Sequence, residues 1–267
     1  MQKTVSADGT VIAYDRLGSG PALVLVTGLL CDRAKMAPTA EELAKHYTVL
    51  NYDRRGRGGS GDTAPYAIQR EIDDLAAVLG EAGAGAAVYA HSSGAGLALH
   101  AAARGLPVSR VVLHEAPYTA GLEDEREEAR RIGTELRDLL GAGRYGDAVE
   151  MMLIATGMPA ELVEESRTAP WWAALEAMAP TMSYDSEVMG DLDGGGVPLE
   201  MVASVTVPAL VLCGGASPDW MLSVARQLSD ALPAGTLQVL DHQEHVVPPE
   251  ILAPVLVEYL GRDFGRA

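Results

Sequence analysis

The stretch Val88-Tyr89-Ala90-His91-Ser92-Ser93-Gly94-Ala95-Gly96 decides the fold of this chain, because a β-prone run leads through Ser92 into a helical pattern. A serine on so sharp a strand-to-helix turn has strained backbone geometry, and the turn closes only beside small residues such as Ala90 and Gly94. The turn exposes the serine hydroxyl and directs the next backbone N–H into the same space, which predicts a nucleophile beside an oxyanion donor. An ordinary Gly/Ser-rich turn is the alternative, since Ala90 replaces the first glycine of the usual G-x-S-x-G pattern.

Composition limits the class of protein and its partners. The chain has 267 residues, 48% of them hydrophobic, which is enough for a full core without metals or disulfides. Its net charge of −17 would repel nucleic acids and anionic membranes, so we expect neither as a partner. The two cysteines make no disulfide framework and no Cys or His has metal-ligand spacing, and we expect neither a signal segment nor a membrane-spanning one. We therefore expect a cytoplasmic protein, and we expect it to be a monomer or homodimer.

Short apolar, β-branched runs alternate with helical patterns along most of the chain. Continuous apolar runs of this length are typical of strands buried on both faces of a parallel sheet. The alternation predicts a doubly wound α/β fold, in which the active site lies beyond the carboxyl ends of the strands. The strand-like runs are Thr10–Asp15, Ala22–Thr27, Thr48–Tyr52, Ala87–Ala90, Arg110–His114, Ala209–Cys213 and Leu237–Asp241.

The alternation stops between residues 118 and 204, where helical patterns, methionines and tryptophans predominate. An insertion of this kind after a strand predicts a helical cap over the carboxyl edge of the sheet. We therefore divide the chain into a core domain, residues 1–117 and 205–267, and a cap domain, residues 118–204. Soft and aromatic side chains suit an apolar ligand site. The residues expected to line the pocket are Leu30, Tyr118, Trp172, Met182 and Tyr184.

A general base for Ser92 is predicted near the C-terminal end of the chain. A serine hydroxyl is a weak nucleophile until a base removes its proton, and histidine has a suitable pKa. His245 lies between the last strand and the closing helix, where its ring can reach the sheet edge. His242 directly follows the strand and is the less favoured candidate.

The loop after the strand-like run 22–27 is the candidate oxyanion loop. Gly28 allows the backbone to turn there, so that the N–H of Leu29 or of Gly28 itself can face the nucleophile. Together with the N–H of Ser93, this group would complete an oxyanion hole. A plain strand-ending turn is the alternative interpretation.

The acid that would orient His245 stands in an unusual place. The loop after the penultimate strand has Ser217 where an aspartate commonly supplies this acid. Asp219 comes two places later and precedes a helical pattern, where it fits an N-terminal cap. Glu115 follows a strand that adjoins the nucleophile strand, and it can reach the same histidine. We favour Glu115 as the acid and keep Asp219 as the alternative.

These motifs together resemble the α/β-hydrolase superfamily over nearly the whole chain. Asp53-Arg54-Arg55-Gly56-Arg57-Gly58-Gly59-Ser60 is similar to its D-x-R-G-x-G-x-S loop, and Thr27-Gly28 stands where it usually has His-Gly. The resemblance implies an α/β-hydrolase fold, with a mostly parallel central sheet flanked by helices and a helical cap inserted after strand six. It also implies a serine hydrolase with a triad of Ser92, His245 and Glu115 and with no metal or cofactor.

Within that superfamily, the site pattern is similar to that of zearalenone-type lactonases. His114-Glu115-Ala116-Pro117 resembles their His-Glu-x-Pro segment, and Pro170-Trp171-Trp172 resembles a Pro-x-Trp whose indole contacts the substrate. The resemblance implies cleavage of a medium-sized hydrophobic ester or lactone through an acyl-enzyme on Ser92. The alternatives are a cofactor-free cyclase, thioesterase or C–C hydrolase in a biosynthetic pathway, or a receptor-like ligand-binding protein with vestigial hydrolysis.

Overall fold

Eight strands form a single sheet in the computed structural model, which describes residues 1–262. The strand order is β1-β2-β4-β3-β5-β6-β7-β8. The two pairs that involve β2 are antiparallel, whereas all the others are parallel, which confirms the predicted mostly parallel sheet. The strands are β1 (Gln2–Val5), β2 (Val11–Leu17), β3 (Ala22–Val26), β4 (Thr48–Tyr52), β5 (Ala87–His91), β6 (Val111–His114), β7 (Ala209–Gly214) and β8 (Gly235–Leu240).

Helices cover both faces of this sheet. Successive side chains of a strand point to opposite faces. Leu23 and Leu25 of β3 therefore pack in one buried cluster with helices α1 (Arg33–Leu43) and α11 (Pro249–Gly261). Val24 and Val26 pack in the other cluster, with the remaining core helices. Those helices are α2 (Ile68–Ala82), α3 (Ser93–Ala103) and α10 (Asp219–Ala231).

A helical insertion lies between β6 and β7, where the sequence predicts the cap. Its side chains form a third buried cluster, which includes Leu136, Trp172 and Met182 and also contacts Leu30 of the core. At its base, a bridge joins Thr119 to Gly196, so the two ends of the insertion lie together. The helices are α4 (Glu123–Gly141), α5 (Tyr145–Ala155), α6 (Ala160–Ser166), α7 (Trp172–Met178), α8 (Met182–Met189) and α9 (Leu199–Ala203), with 3₁₀ turns at Ala179–Thr181 and Asp191–Asp193.

Parallel pairing brings the candidate functional loops to one edge of the sheet. The segments that follow β3, β5, β6, β7 and β8 all leave the sheet at its carboxyl edge. The register sets His91 beside His114, so Ser92 and Glu115 follow directly on neighbouring strands. The backbone of the fold thus explains how side chains far apart in sequence meet.

Across residues 1–262, no helix is both long and apolar enough to cross a membrane. The same range holds no group of three or more His, Cys, Asp or Glu side chains arranged to bind a metal ion. Cys31 and Cys213 are free thiols.

Candidate active site

Ser92 lies on the sharp turn that the sequence predicts between β5 and α3. Its φ of 57° and ψ of −132° are a strained conformation for a residue other than glycine. The Ser92 N–H donates to the carbonyl of His114 at 2.9 Å, which anchors the turn on β6. At Gly94 an added Cβ would lie 2.6 Å from the Thr27 carbonyl oxygen, so only glycine fits there. The turn therefore holds the Ser92 hydroxyl at the carboxyl edge of the sheet.

The structure brings Glu115 and His245 into contact, as the sequence predicts. Glu115 Oε2 lies 2.6 Å from His245 Nδ1. The Glu115 side chain is fully buried, whereas that of His245 is 41% exposed. Burial raises the pKa of Glu115, but hydrogen bonds from His245, Ser217 and the Gly214 N–H outweigh it and lower the pKa to about 2. Glu115 is therefore a carboxylate that accepts a hydrogen bond from Nδ1–H, which leaves Nε2 of His245 free to act as a base.

Ser217 has a role that the sequence analysis missed. Its hydroxyl donates to Glu115 Oε1 at 2.6 Å, and the Gly214 N–H donates to the same oxygen at 2.6 Å. The residue at the common acid position thus supports the acid supplied by the neighbouring strand. Asp219 is the exposed first residue of α10 and, within residues 1–262, makes no hydrogen bond to His245.

His91 fixes the backbone of the loop that carries His245. Its Nε2 lies 2.9 Å from the His245 carbonyl oxygen, and the two ring centroids are 4.5 Å apart. Burial lowers the pKa of His91 to about 4, so the ring is neutral near pH 7. Because a carbonyl only accepts, the proton of His91 is on Nε2. No local sequence pattern signals this contact, since His91 and His245 are far apart in the chain.

Ser92 and His245 both line two cavities that meet at the turn. Among the hydrogen bonds of the described residues, none joins the Ser92 hydroxyl to His245. Of the two contacts that the predicted triad requires, the structure therefore forms the one between Glu115 and His245. Such bonds are often long in the absence of substrate and tighten when it binds. The arrangement places a candidate nucleophile and base at one opening.

One of these cavities, the cap cavity, has a volume of about 280 Å³ and lies between the sheet edge and the cap. Its lining is mostly apolar and, within residues 1–262, contains no lysine or arginine. Its walls include Leu29, Pro117, Ile132, Leu136, Met152, Met182, Met189, Asp191, Trp220 and Met221. The other, the α1 cavity, has a volume of about 670 Å³ and lies between α1 and the His245 loop.

Of the five residues predicted to line the pocket, the structure places two in the cavity walls and packs the other three elsewhere. Met182 lines the cap cavity and Leu30 lines the α1 cavity. In the described chain, the three aromatic candidates line neither cavity. Trp172 is 4% exposed in the cap core, Tyr184 stacks on Tyr66 with ring centroids 3.9 Å apart, and Tyr118 is buried in the main core. Aromatic side chains have large apolar surfaces that pack as well in a core as around a ligand.

The predicted oxyanion loop passes directly over the nucleophile. A Cβ added at Gly28 would lie 2.7 Å from Ser92 Cβ, and Leu29 lines both cavities. Within residues 1–262, the N–H groups of Leu29 and Ser93 donate to no protein acceptor. Donors left free beside a candidate nucleophile are what an oxyanion hole requires.

Comparison with known proteins agrees with this fold. The profile of the alpha/beta hydrolase family matches residues 23–253. A solved alpha/beta hydrolase from Sphaerobacter thermophilus is 47% identical, covers 97% of this chain and 100% of its own, and has a TM-score of 0.85. The 2-(acetamidomethylene)succinate hydrolase of Mesorhizobium japonicum is 27% identical over 91% of this chain and 89% of its own.

A shorter match is to YraK, an uncharacterized hydrolase of Bacillus subtilis, at 33% identity over 50% of this chain and 52% of that protein. The chain thus spans about half the length of this relative. These matches do not single out the zearalenone-type lactonases, so that finer resemblance stays a prediction. The fold, the turn at Ser92 and the family profile agree, and the chain belongs to the alpha/beta hydrolase family.

Proposed function

We propose that the protein is a serine hydrolase that cleaves a carboxylic ester or lactone of a medium-sized hydrophobic substrate. The observation that carries this proposal is the buried carboxylate of Glu115 against His245, at an opening that Ser92 shares. An ionised acid that fixes Nδ1–H of a histidine is the arrangement that prepares Nε2 to accept a proton from serine.

The reaction follows from these positions. His245 removes the proton of Ser92 as its oxygen attacks the substrate carbonyl carbon, and the substrate oxygen becomes negatively charged. The N–H groups of Leu29 (or Gly28) and Ser93 stabilise that charge, while Glu115 stabilises the imidazolium. His245 then protonates the leaving alkoxide and afterwards activates the water that hydrolyses the acyl-enzyme. Each step uses a group of this chain, and none requires a cofactor.

The cap cavity favours an uncharged acyl group. Its lining is mostly apolar, and the charge of Asp185 on its wall is balanced by ion pairs with Arg54 and Arg57. Asp191, also on the wall, has no ion pair within the described residues. A carboxylate bound there would meet a like charge and no cation, which is costly in an apolar site. We therefore propose esters and lactones whose acyl group in the cap cavity is uncharged, in preference to substrates that place a carboxylate in that cavity.

We also propose that residues 118–204 act as a cap domain on a core of residues 1–117 and 205–267. The cap supplies Met182, Met152 and Ile132 to the cavity wall, so it contributes to the choice of substrate. The predicted resemblance to zearalenone-type lactonases makes macrolactones the first cyclic substrates to test.

The test compares the wild-type protein with Ser92→Ala on p-nitrophenyl acetate, p-nitrophenyl butyrate, an acyl thioester and a macrolactone. We expect ester turnover by the wild type, a fluorophosphonate adduct on Ser92 by mass spectrometry, and at least a 10³-fold loss in the variant. Ser229→Ala is the control, because its hydroxyl donates to the Arg226 carbonyl on α10 and, within residues 1–262, forms no hydrogen bond with the site. Turnover that survives Ser92→Ala would refute the nucleophile. A wild type inert to all of these substrates would favour a cyclase, a C–C hydrolase or a ligand-binding protein.

A further inference from the structure

A buried carboxylate of the cap contacts residues that form or support the candidate oxyanion hole. Asp185, on α8, is 3% exposed. Its Oδ1 accepts hydrogen bonds from Arg54 Nη1 and from the Ser93 hydroxyl, each at 2.6 Å. Its Oδ2 accepts from Arg57 Nη2 at 2.6 Å. One cap residue thus contacts two of the three buried arginines of the loop after β4, Arg54 and Arg57, and also the residue that follows Ser92.

The same two arginines hold the backbone of the oxyanion loop. Arg57 Nη1 donates to the Gly28 carbonyl at 2.5 Å, and Arg54 Nη1 donates to the Thr27 carbonyl at 3.2 Å. The carbonyl of Gly28 and the N–H of Leu29 belong to one planar peptide unit, so a contact that fixes the first also aims the second. The Thr27 carbonyl is joined to the Gly28 N–H in the same way.

Charge at these carbonyls also strengthens the donors. A cation that binds a peptide oxygen polarises the amide, and hydrogen bonds in a chain reinforce one another. The N–H groups at the far ends of the two peptides therefore become better donors to a developing oxyanion. Arg57 in turn relies on the cap, since its Nε donates to the Thr181 hydroxyl at 3.1 Å and its Nη2 to Asp185.

The charges of this cluster are paired and buried. Arg54 also binds Glu71 through two bonds of 2.8 Å and 2.7 Å, and the side chains of Arg54, Arg57, Glu71 and Asp185 are all at most 4% exposed. Burial raises the pKa of Asp185, but Arg57 and Arg54 outweigh it and lower the pKa below its usual value. Asp185 is therefore ionised, and two carboxylates balance two guanidinium groups.

We propose that Asp185 is a positioning residue for the oxyanion hole, so that hydrolysis requires α8 of the cap to be docked on the core. This inference rests on the proposed ester hydrolysis. Asp185 acts through Arg57 on the Gly28–Leu29 peptide and directly on Ser93, which are the two sides of the hole. Removing its charge leaves Arg57 with a weaker partner and loosens the Leu29 N–H relative to the substrate carbonyl.

The main test is Asp185→Asn with p-nitrophenyl butyrate as substrate. Because loss of one oxyanion donor costs about 10²–10³ in rate, loss of its alignment should lower kcat by about 10–100-fold, with KM within about 3-fold. The inhibition constant of an alkyl trifluoromethyl ketone, whose adduct places an oxyanion in the hole, should rise by a similar factor. Binding of a neutral ester analogue without the reactive ketone should change little, which separates this effect from a general loss of structure.

A second variant covers the case in which Asp185→Asn does not fold. Ser93→Ala removes only the hydroxyl bond to Asp185 and keeps the Ser93 N–H, so kcat should fall by roughly 3–10-fold with KM unchanged. Tyr184→Phe is the matched control, because Tyr184 is also on α8 and its hydroxyl bonds Asp62 at 2.6 Å, away from the oxyanion loop. It should change kcat by less than about 2-fold.

The possible results separate this inference from the proposed function. A wild type that hydrolyses no ester refutes the proposed function and the inference with it. An active wild type whose kcat and ketone inhibition are unchanged in Asp185→Asn, or in Ser93→Ala if the first variant does not fold, refutes the inference alone. Equal loss of kcat in Tyr184→Phe also refutes it, because any weakened cap contact would then suffice.

Discussion

Replacing Glu115 by glutamine tests whether this residue is the acid of the site. Donors to the Glu115 carboxylate include His245 Nδ1, the Ser217 hydroxyl and the Gly214 N–H. A glutamine has one acceptor oxygen, which can keep the two bonds from Ser217 and Gly214. Its NH₂ group then faces His245 and donates to Nδ1. The histidine proton moves to Nε2, which can no longer accept the proton of Ser92.

The expected fall in kcat can be calculated from the distance between Glu115 and His245. Unit charges 2.6 Å apart attract by about 6 kcal/mol at an effective dielectric constant of about 20. Since His245 is 41% exposed, solvent screening reduces this to roughly 3 kcal/mol for the imidazolium formed during the reaction. That alone lowers kcat about 100-fold. Loss of the correct tautomer adds to it, so we expect a fall of about 10²–10⁴-fold.

The assay is p-nitrophenyl butyrate hydrolysis at pH 7.5, beside Asp219→Asn as the matched control. Asp219 is exposed at the start of α10, so its variant should keep at least half of the wild-type kcat/KM. A Glu115→Gln variant within about 3-fold of wild type, or a loss confined to Asp219→Asn, would refute the assignment of the acid.

The pH dependence of the free energy of unfolding is an independent test of the charge on Glu115. The pKa of Glu115 falls from 4.5 to about 2 on folding, which corresponds to roughly 3 kcal/mol in favour of the ionised form. An acid whose pKa is lowered by folding stabilises the folded state above pH 4.5, and this stabilisation is lost as the pH falls towards 2. The free energy of unfolding of Glu115→Gln should therefore be lower than that of wild type at pH 7, and the gap should narrow below pH 4.5. A gap that is independent of pH would contradict this reasoning.

Two further predictions concern packing and buried charge. Gly94→Ala should lower Tm by roughly 3–10 °C in calorimetry, because its Cβ would meet the Thr27 and Val26 carbonyl oxygens at 2.6 and 2.7 Å. At Gly80 an added Cβ would have no atom within 4 Å among the described residues outside the adjoining backbone of its own helix, so Gly80→Ala should not lower Tm. Equal losses in the two variants would contradict the turn argument. Burial raises the pKa of Asp191 from 3.8 to about 6, so its ionisation destabilises the fold as the pH rises through that window. Asp191→Asn should therefore stabilise the protein by about 1–3 kcal/mol at pH 8 and by little at pH 4, and a gain of the same size at both would contradict this.

Local patterns predicted the parts of the site that depend on neighbouring residues. The turn at Ser92 follows from small residues two places away, and the position of Glu115 follows from its place at the end of a strand beside β5. The contact between Asp185 and Arg54 spans 131 residues, and no sequence period or spacing signals it. Such charge pairs depend on how the cap docks, which is a property of the packed molecule.

The aromatic residues that were predicted to line the pocket show the same limit of sequence analysis. A tryptophan in a helical insertion fits a cap core and a ligand wall equally well from its composition alone. Trp172 packs with Val163 and Met178 inside the cap and stays away from both cavities within the described chain. The cavity wall instead includes methionine, isoleucine and leucine side chains of α4, α5 and α8.

The meeting of two cavities at Ser92 has a kinetic consequence for the proposed reaction. The acyl half and the alcohol half of a substrate would occupy separate compartments, so the alcohol can depart while the acyl half is still covalently attached. The vacated compartment then admits either water or another small alcohol. In mixed solvents, the acyl group should be partitioned between hydrolysis and transesterification according to which molecule occupies the space beside His245.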